Sequence, residues 1–388
     1  MSSIRFQFLR LLHCWLALPF ALLLVLQGLT GTVITWKHEV DAFLNPGLLR
    51  VTAPENGNAV ARERLTLSML VEQAKQHHPT GKLTMLELPE KENEVLVAWF
   101  KDIKNPSNSD EKPRAKQMMI NPYTGTMIGE RVPDEISFSR SQIVPSLMSW
   151  HRNFLSSDNG KLLVSINGIV LAIIALSGIY LWWPVWRLKA WWQAITISHQ
   201  GSWKRFNFRL HRATGFYSAP ILLMLAITGI YFNQPDWITP IVKQVISVTA
   251  DSKEAKTSTE NNFTDSEIKN LNPEQIIDLA QKEFPMARVT RISFPEKTDS
   301  RFEVRLHQPG ELREGSGATR VTVDALHGKI IKIRDPLKAS KEALFFSYFF
   351  PLHSGEIFGT IGKIIISFVG LLPLLFAISG TLIWLRRR

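Results

Sequence analysis

Four long runs of residues without a formal charge, rich in apolar side chains, constrain this chain more than any other feature. They cover 11–36, 162–186, 213–234 and 364–385, and each contains 22 to 26 residues. A helix of this length crosses the roughly 30 Å hydrocarbon core of a bilayer. We therefore predict an α-helical membrane protein with four transmembrane helices, which excludes a purely cytoplasmic enzyme.

The net charge of +11 lies beside these runs. Eleven basic residues and no acidic ones precede the first run, separate the second from the third, and follow the fourth, whereas the rest of the chain is neutral. The positive-inside rule then predicts that both termini and the loop at 184–213 are cytoplasmic, with the two long intervening segments on the far side. Because topology accounts for the charge, nucleic-acid binding has no support. The eleven residues are Arg5, Arg10, Arg187, Lys189, Lys204, Arg205, Arg209, Arg212, Arg386, Arg387 and Arg388.

The chain contains two copies of one pattern. A Leu-His pair followed by Thr-Gly returns at an offset of 198 residues, and a His followed by Ser-Gly returns at an offset of 202. Because each copy has the order helix, outer domain, helix, we predict two parallel repeats related by a pseudo-two-fold axis along the membrane normal. The duplicated elements are Leu12-His13 and Thr30-Gly31, Leu210-His211 and Thr228-Gly229, His151 and Ser177-Gly178, and His353 and Ser379-Gly380.

The segments between the helices also repeat. Each has a helical pattern, a strand-like run ending at a proline, a second strand pattern, and an apolar strand followed by a turn in which Gly suits a positive φ. We predict a small α+β domain in each copy, with a helix on an antiparallel sheet. The helical patterns are 67–77 and 273–284, the prolines are Pro89 and Pro295, the second strands are 94–101 and 301–308, and the closing strands with their turns are 119–125 and 321–328.

Four histidines occupy the duplicated positions. His13 and His211 form an inner pair at the predicted cytoplasmic ends of helices, and His151 and His353 form an outer pair at the far side. The pseudo-two-fold axis places the members of each pair face to face. Histidine near a membrane span is rare and usually faces the bundle interior, so we predict that both pairs bind a ligand.

Neutral imidazole is a ligand for haem iron, zinc or copper. Zinc prefers four ligands, and two histidines without a partnered Cys, Asp or Glu leave it undersupplied. Haem needs only two axial groups, and two histidines leave its iron no open position, which favours electron transfer. The single cysteine, Cys14, excludes a C-x-x-C-H attachment. Two stacked b-type haems, held by His13 with His211 and by His151 with His353, would conduct electrons across the membrane.

Two further features have two interpretations each. The small residues Gly28, Gly31, Ser177, Gly178, Thr228, Gly229, Ser379 and Gly380 either make room for a macrocycle or permit close helix packing. The basic residues near the histidines either pair with haem propionates or snorkel to the interface. These basic residues are Arg152, Lys161, Arg209, Arg212 and Lys363.

At these residues the chain resembles the PepSY-associated transmembrane family, iron-regulated inner-membrane proteins that include ferric-siderophore reductases. The resemblance covers nearly the whole chain, although Cys14 and Ser354 stand where an Arg is expected after the histidine. The matching elements are Leu12-His13 with 28–31, Trp150-His151-Arg152, 177–184, Leu210-His211-Arg212 with Thr228-Gly229, Leu352-His353-Ser354, and the outer turns at 121–125 and 324–328.

The resemblance implies a bacterial inner-membrane, di-haem b oxidoreductase with two periplasmic PepSY-like domains, which reduces ferric siderophores and releases Fe(II). It assigns His13, His211, His151 and His353 as iron ligands and Arg152 and Arg212 as cofactor-binding residues. The predicted boundaries are 1–36 for the N-terminus and helix 1, 37–148 for the first periplasmic domain, 149–186 for helix 2 and its periplasmic approach, 187–210 for the basic loop, 211–235 for helix 3, 236–345 for the second periplasmic domain, and 346–388 for helix 4 and the cytoplasmic C-terminus.

The electron donor is less defined. The sequence has no convincing G-x-G-x-x-G after a strand and no Walker A motif, so we expect a membrane quinol or a soluble flavin- or NAD(P)H-dependent reductase to supply electrons. Two alternatives need no haem: a metal or siderophore transport component, which would need polar or acidic groups at mid-membrane, and a PepSY-type protein that binds a peptidase, which would need no paired histidines.

Overall fold

The structure, a computed structural model, describes residues 3–52, 63–102, 114–133, 135–155, 158–183, 186–249, 269–295 and 300–386. The chain divides into two compact units. The membrane unit contains Met1–Lys37, Leu147–Asp251 and Phe349–Arg388, and the sheet unit contains His38–Ser146 and Ser252–Tyr348. Pro184, Arg387 and Arg388, which entered the sequence interpretation, lie outside the described residues.

Helices and strands alternate along the chain in two similar series. The helices are α1 (Ser3–Ile34), α2 (Lys37–Leu44), α3 (Pro46–Leu49), α4 (Leu67–His77), α5 (Ile143–Asn153), α6 (Asp158–Trp182), α7 (Leu188–Ile195), α8 (Trp203–Asn233), α9 (Pro235–Thr249), α10 (Pro273–Glu283), α11 (Lys341–Ser347), α12 (Phe349–Ser354) and α13 (Gly359–Leu385). The strands are β1 (Gly81–Glu87), β2 (Leu96–Asp102), β3 (Ala115–Ile120), β4 (Met127–Arg131), β5 (Arg288–Ser293), β6 (Arg301–His307), β7 (Thr319–Asp324) and β8 (Lys329–Arg334).

The membrane unit is built on four helices that are long and apolar enough to cross a bilayer, namely α1, α6, α8 and α13. Among them α1 packs against α6 and α13, and α8 packs against α6 and α13. The helices α1 and α8 start at Ser3 and Trp203, about two turns before the uncharged runs begin. Lys and Arg favour helices, so the basic residues extend these helices, and His13 and His211 lie inside them.

Close backbone packing joins α1 to α13. A Cβ atom added at Gly28 would collide with the backbone oxygen of Gly370, and one added at Gly370 would collide with the Thr32 hydroxyl. The Thr32 hydroxyl donates a hydrogen bond to the Ser367 carbonyl at 3.0 Å. For Gly28, the structure therefore supports the helix-packing interpretation.

The sheet unit contains one eight-stranded antiparallel sheet with the order β4-β3-β2-β1-β5-β6-β7-β8. This differs from the expectation of two separate domains, because the two four-stranded halves join where β1 pairs with β5. At this junction Leu86 lies opposite Ile292, and both side chains are fully buried. Pairing these edges protects backbone groups that would otherwise be open to another chain.

The predicted elements of the sheet unit otherwise match the structure closely. The helix expected at 67–77 is α4, and the helix expected at 273–284 is α10 with one residue fewer. The helix α4 packs on β3, and α10 packs on β5, β6 and β7, over one continuous apolar core. The turn glycines Gly125 and Gly328 have φ of 72° and 65°, as predicted for these positions.

A polar group secures the second of these turns. The Asp324 carboxylate accepts hydrogen bonds from the Ser300 hydroxyl at 2.6 Å and from the His327 ring at 2.5 Å. Burial raises the pKa of Asp324, but hydrogen bonds from Ser300, His327 and the Leu326 backbone, together with the charge of His327, hold the pKa below its ordinary value. The carboxylate therefore stays charged and fixes the turn between β7 and β8.

Candidate functional site

The structure brings the four duplicated histidines together in the membrane unit as two pairs. His151 on α5 and His353 on α12 face each other with ring centroids 6.1 Å apart and ring planes at 69°. His13 on α1 and His211 on α8 lie close enough for their rings to interact electrostatically. Each pair draws its members from different copies of the repeat pattern, as the sequence predicts.

Every one of these histidines contacts a hydroxyl on a neighbouring transmembrane helix. In each case the ring Nδ1 atom and a Ser or Thr oxygen lie at hydrogen-bond distance. The pairs are His13 with Ser177 at 3.0 Å, His211 with Ser379 at 2.8 Å, His151 with Thr30 at 3.2 Å, and His353 with Thr228 at 2.7 Å.

These contacts bear on which ring nitrogen carries the proton. Each hydroxyl also lies at hydrogen-bond distance from a backbone carbonyl of its own helix, and when it donates its one hydrogen there it accepts from Nδ1–H. His151 Nδ1 also lies 3.1 Å from the Gln27 carbonyl, which can only accept, so this contact requires Nδ1–H in that ring. With Nδ1 protonated, Nε2 carries the lone pair, which is the form that binds a metal. The hydroxyl bonds run from Ser177 to Ile174 at 3.1 Å, Ser379 to Leu375 at 2.7 Å, Thr30 to Leu26 at 2.7 Å, and Thr228 to Met224 at 2.8 Å.

A glycine follows each of these hydroxyl residues and lies under the histidine ring. A Cβ atom added at each glycine would lie close to Cε1 of the histidine. The distances are 3.4 Å from Gly178 to His13, 3.3 Å from Gly380 to His211, 3.0 Å from Gly31 to His151, and 3.6 Å from Gly229 to His353. The Ser-Gly and Thr-Gly pairs therefore hold imidazole rings against a helix. Sequence reasoning found these small residues but missed this role, although they repeat at the same offsets as the histidines.

Residues on neighbouring elements complete the surroundings of the rings. The Phe376 ring lies edge-on to His211, and the Phe232 ring lies edge-on to His353, each with centroids 5.3 Å apart. At His151, the Gln27 side-chain amide donates to the backbone carbonyl of the histidine at 2.5 Å. The ring orientations are thus fixed by packing and by hydrogen bonds from several helices.

The donor set fits the protein ligands of a haem iron. Each pair offers two imidazoles from different helices, and imidazole nitrogen is a ligand for haem iron. The ring centroids of the outer pair lie 6.1 Å apart. Haem iron needs no further protein ligand, because the porphyrin supplies the other four.

Two buried amide oxygens near the outer pair have no partner. Gln27 Oε1 and Asn153 Oδ1 accept no hydrogen bond within the part of the chain that the structure describes. Gln27 contacts His151, and Asn153 follows it by two residues. Ordered water is a common partner of such buried oxygens.

The basic residues near the histidines mostly have partners within the chain. Arg212 donates to the Trp182 carbonyl at the end of α6 at 2.9 Å, and Arg209 donates to the Ser198 and Gln200 carbonyls. Lys161 pairs with Asp158 at 3.2 Å, and Lys363 lies 5.1 Å from the centroid of the Trp36 ring. The Arg152 side chain is exposed. These contacts favour interface and capping roles and leave the propionate assignment of Arg152 and Arg212 as a prediction.

Two aromatic residues before His353, Phe349 and Phe350, pack against α8. Phe349 is buried and lies edge-on to Tyr231, with centroids 4.9 Å apart, and the Phe350 ring lies 6.3 Å from that of Phe232. Phe345 and Phe346 lie edge-on to each other in the sheet unit. For Phe349 and Phe350 this supports an anchoring role, because their rings attach α12 to α8.

Comparison with known protein families gives one match of nearly full length. The family model described as the PepSY-associated TM region matches residues 10–387. No curated protein matches this chain.

Proposed function

The chain belongs to the family of PepSY-associated transmembrane proteins, and from this premise we propose that it is a di-haem b oxidoreductase of the bacterial inner membrane that reduces ferric siderophores in the periplasm. The observation that carries the proposal is the fourfold arrangement of the histidines. Each ring has its Nδ1 atom at hydrogen-bond distance from a Ser or Thr hydroxyl on a neighbouring transmembrane helix.

In this proposal His13 and His211 hold one haem, and His151 and His353 hold the other. A bis-histidine haem supplies one-electron transfer. The residues of the chain orient the ligands and exclude water: the Ser and Thr hydroxyls fix the tautomer, the glycines bring each ring onto a helix, and Phe232 and Phe376 cover ring edges. Hydrogen bonds to metal-bound imidazole also raise its basicity, which tunes the metal it holds.

The proposed topology places both termini and the α6–α8 connection in the cytoplasm. The supporting observation is the concentration of Lys and Arg at these ends. The sheet unit is then periplasmic, and the two copies form parallel repeats, which makes His151 and His353 the pair on the periplasmic side. Electrons would enter near the inner pair from a quinol or from a flavin- or NAD(P)H-dependent reductase.

Siderophore iron is a suitable acceptor for such a protein. Siderophores bind Fe(III) through hard oxygen ligands, and a one-electron reduction to Fe(II) weakens these bonds, since the softer divalent ion prefers other donors. In this proposal one electron would reduce the Fe(III) of one chelate to Fe(II), which the chelate would then release. The step uses no acid, base or nucleophile of the chain.

The test is a single-turnover reaction with a ferric trihydroxamate chelate. The purified protein is reduced anaerobically, freed of reductant and mixed with the chelate in the presence of a ferrous-specific chelator. We expect the haem bands to reoxidise as Fe(II) forms, with one Fe(II) per electron. The gallium(III) form of the same chelate, which cannot be reduced under these conditions, is the matched control and leaves the haem reduced. Reduced haem that persists in the ferric chelate would contradict the proposed substrate.

A further inference from the structure

A groove with a basic rim opens between the beginning of α8 and the end of α13. It has a volume of about 170 Å³. It lies in the membrane unit, at the ends of two helices that are long enough to cross a bilayer. The lining residues are Lys204, Asn207, Phe208, Leu382, Ile383 and Arg386.

The rim attracts anions. Lys204 and Arg386 are exposed, and neither has an acidic partner among the residues that the structure describes. The first turn of α8 contains no acidic residue, and its N-cap, Ser202, makes no side-chain hydrogen bond to the helix. The positive end of the helix dipole therefore adds to the charge of both side chains.

Three of the residues that line the groove are apolar. Phe208 on α8 is 44% exposed, and Leu382 and Ile383 line the same groove from α13. A ligand that matches both parts has an anionic head and an apolar body. The volume accommodates a phosphate headgroup but no acyl chains, which would continue along the helices into the bilayer. We propose that this groove binds the phosphate of an acidic phospholipid, in the leaflet that holds the basic ends of the helices.

The first copy of the repeat pattern lacks this site. At an offset of 198 residues, Phe6 and Leu9 on α1 stand where α8 has Lys204 and Asn207. The basic residues of α1 are instead Arg5 and Arg10, which are both exposed. Substituting these two arginines removes the same charge from the same end of the bundle and leaves the groove intact.

The groove also borders the inner histidine pair. Asn207 is buried, and its side-chain amide donates to the Ser379 carbonyl at 3.0 Å. The Ser379 hydroxyl in turn lies 2.8 Å from Nδ1 of His211. A lipid in the groove would therefore support the residues that hold His211, although its binding does not depend on haem.

In the test, phosphatidylglycerol or phosphatidylcholine is added to the delipidated full-length protein, and native mass spectrometry measures the lipid that the protein retains. We expect one molecule of phosphatidylglycerol to bind more tightly than phosphatidylcholine with the same acyl chains. Lys204→Gln and Arg386→Gln should each weaken phosphatidylglycerol binding about fivefold. The Arg5→Gln, Arg10→Gln double variant should leave it unchanged. Thermal unfolding in detergent checks that all variants remain folded.

Three results would overturn the proposal. Equal retention of both lipids would show that the headgroup charge is not recognised. Equal weakening by the α1 double variant would show general surface attraction only. Displacement of phosphatidylglycerol by millimolar inorganic phosphate would show that the groove binds free phosphate and not a lipid. Because the readout is lipid mass, a protein without haem would still give each of these answers.

Discussion

The inner and outer histidine pairs have the same chemistry but different supports. His13 and His211 are part of the long helices α1 and α8, whose backbones fix their positions. His151 and His353 are on the short helices α5 and α12, of 11 and 6 residues. The outer pair therefore depends more on contacts from other helices, and its threonine hydroxyls and Gln27 provide them. The comparison predicts that substitutions around the histidines affect the outer pair more strongly.

Removing a ligand should have the largest effect. His211→Ala should abolish the inner haem and His151→Ala the outer haem, because each iron would keep only one axial histidine. Reduced-minus-oxidised spectra with pyridine haemochrome quantification would show about half of the wild-type haem in each variant, with different spectral components lost. His199→Ala, which changes a histidine outside both pairs, is the control and should retain all haem. Loss of the same component in both variants would contradict the separate pairs.

Removing a hydroxyl should have the next largest effect, and it compares the two pairs directly. Thr228→Val in the outer pair and Ser379→Ala in the inner pair each remove the acceptor of a ligand Nδ1 proton. Loss of such a partner typically lowers metal affinity about 10–100-fold. Haem titration of the apoprotein measures it.

We expect Thr228→Val to reach the upper end of that range and Ser379→Ala the lower end, because α8 still positions His211. A larger loss for Ser379→Ala would reverse the proposed difference between the pairs.

The glycines under the outer rings allow a finer comparison. Gly31→Ala would place a Cβ atom 3.0 Å from His151, whereas Gly229→Ala would place it 3.6 Å from His353. Gly31→Ala requires the His151 ring to move, so it should make the free energy of haem binding less favourable by about 1 kcal/mol. Gly229→Ala should leave haem affinity nearly unchanged. The haem titration that measures the hydroxyl variants also measures this difference. Equal effects would indicate that the rings are not held against these helices.

Gln27→Leu should have the smallest effect. It replaces Gln27 with the residue that the second copy has at the same offset, Leu225. The change removes the hydrogen bond to the His151 carbonyl, but it also removes the unpartnered Oε1 atom, so the net cost should stay below about 1 kcal/mol. A shift confined to the outer haem's midpoint potential in a redox titration would support the contact, and a shift of the inner haem would refute it.

Much of the fold could be predicted from the sequence, because the spacing of apolar residues and the length of each apolar run determine the local secondary structure. The four uncharged runs correspond to α1, α6, α8 and α13, and the helix at 67–77 is found with the same bounds. The strands β4 and β8 were missed, because none of their side chains is buried and they therefore lack an alternation of buried residues. The joining of two half-sheets was missed too, since a sequence pattern does not show which edge strands meet.

The histidine pairing could also be predicted, because the duplication relates the positions. The contacts that orient the rings could not. The spacing places Ser177 and His13 at similar depths, but the rotation of α6 about its axis decides whether the hydroxyl faces the ring. That rotation depends on packing among all four helices, which periodicity in one helix does not determine.

The most direct test of the central claim is the haem content of the wild-type protein. The protein is purified from haem-replete cells, and pyridine haemochrome analysis is combined with a reduced-minus-oxidised spectrum. We expect about two b-type haems per chain, with low-spin spectra typical of two axial histidines. A protein purified without haem would contradict the di-haem proposal and would favour a metal-transport or peptidase-binding role.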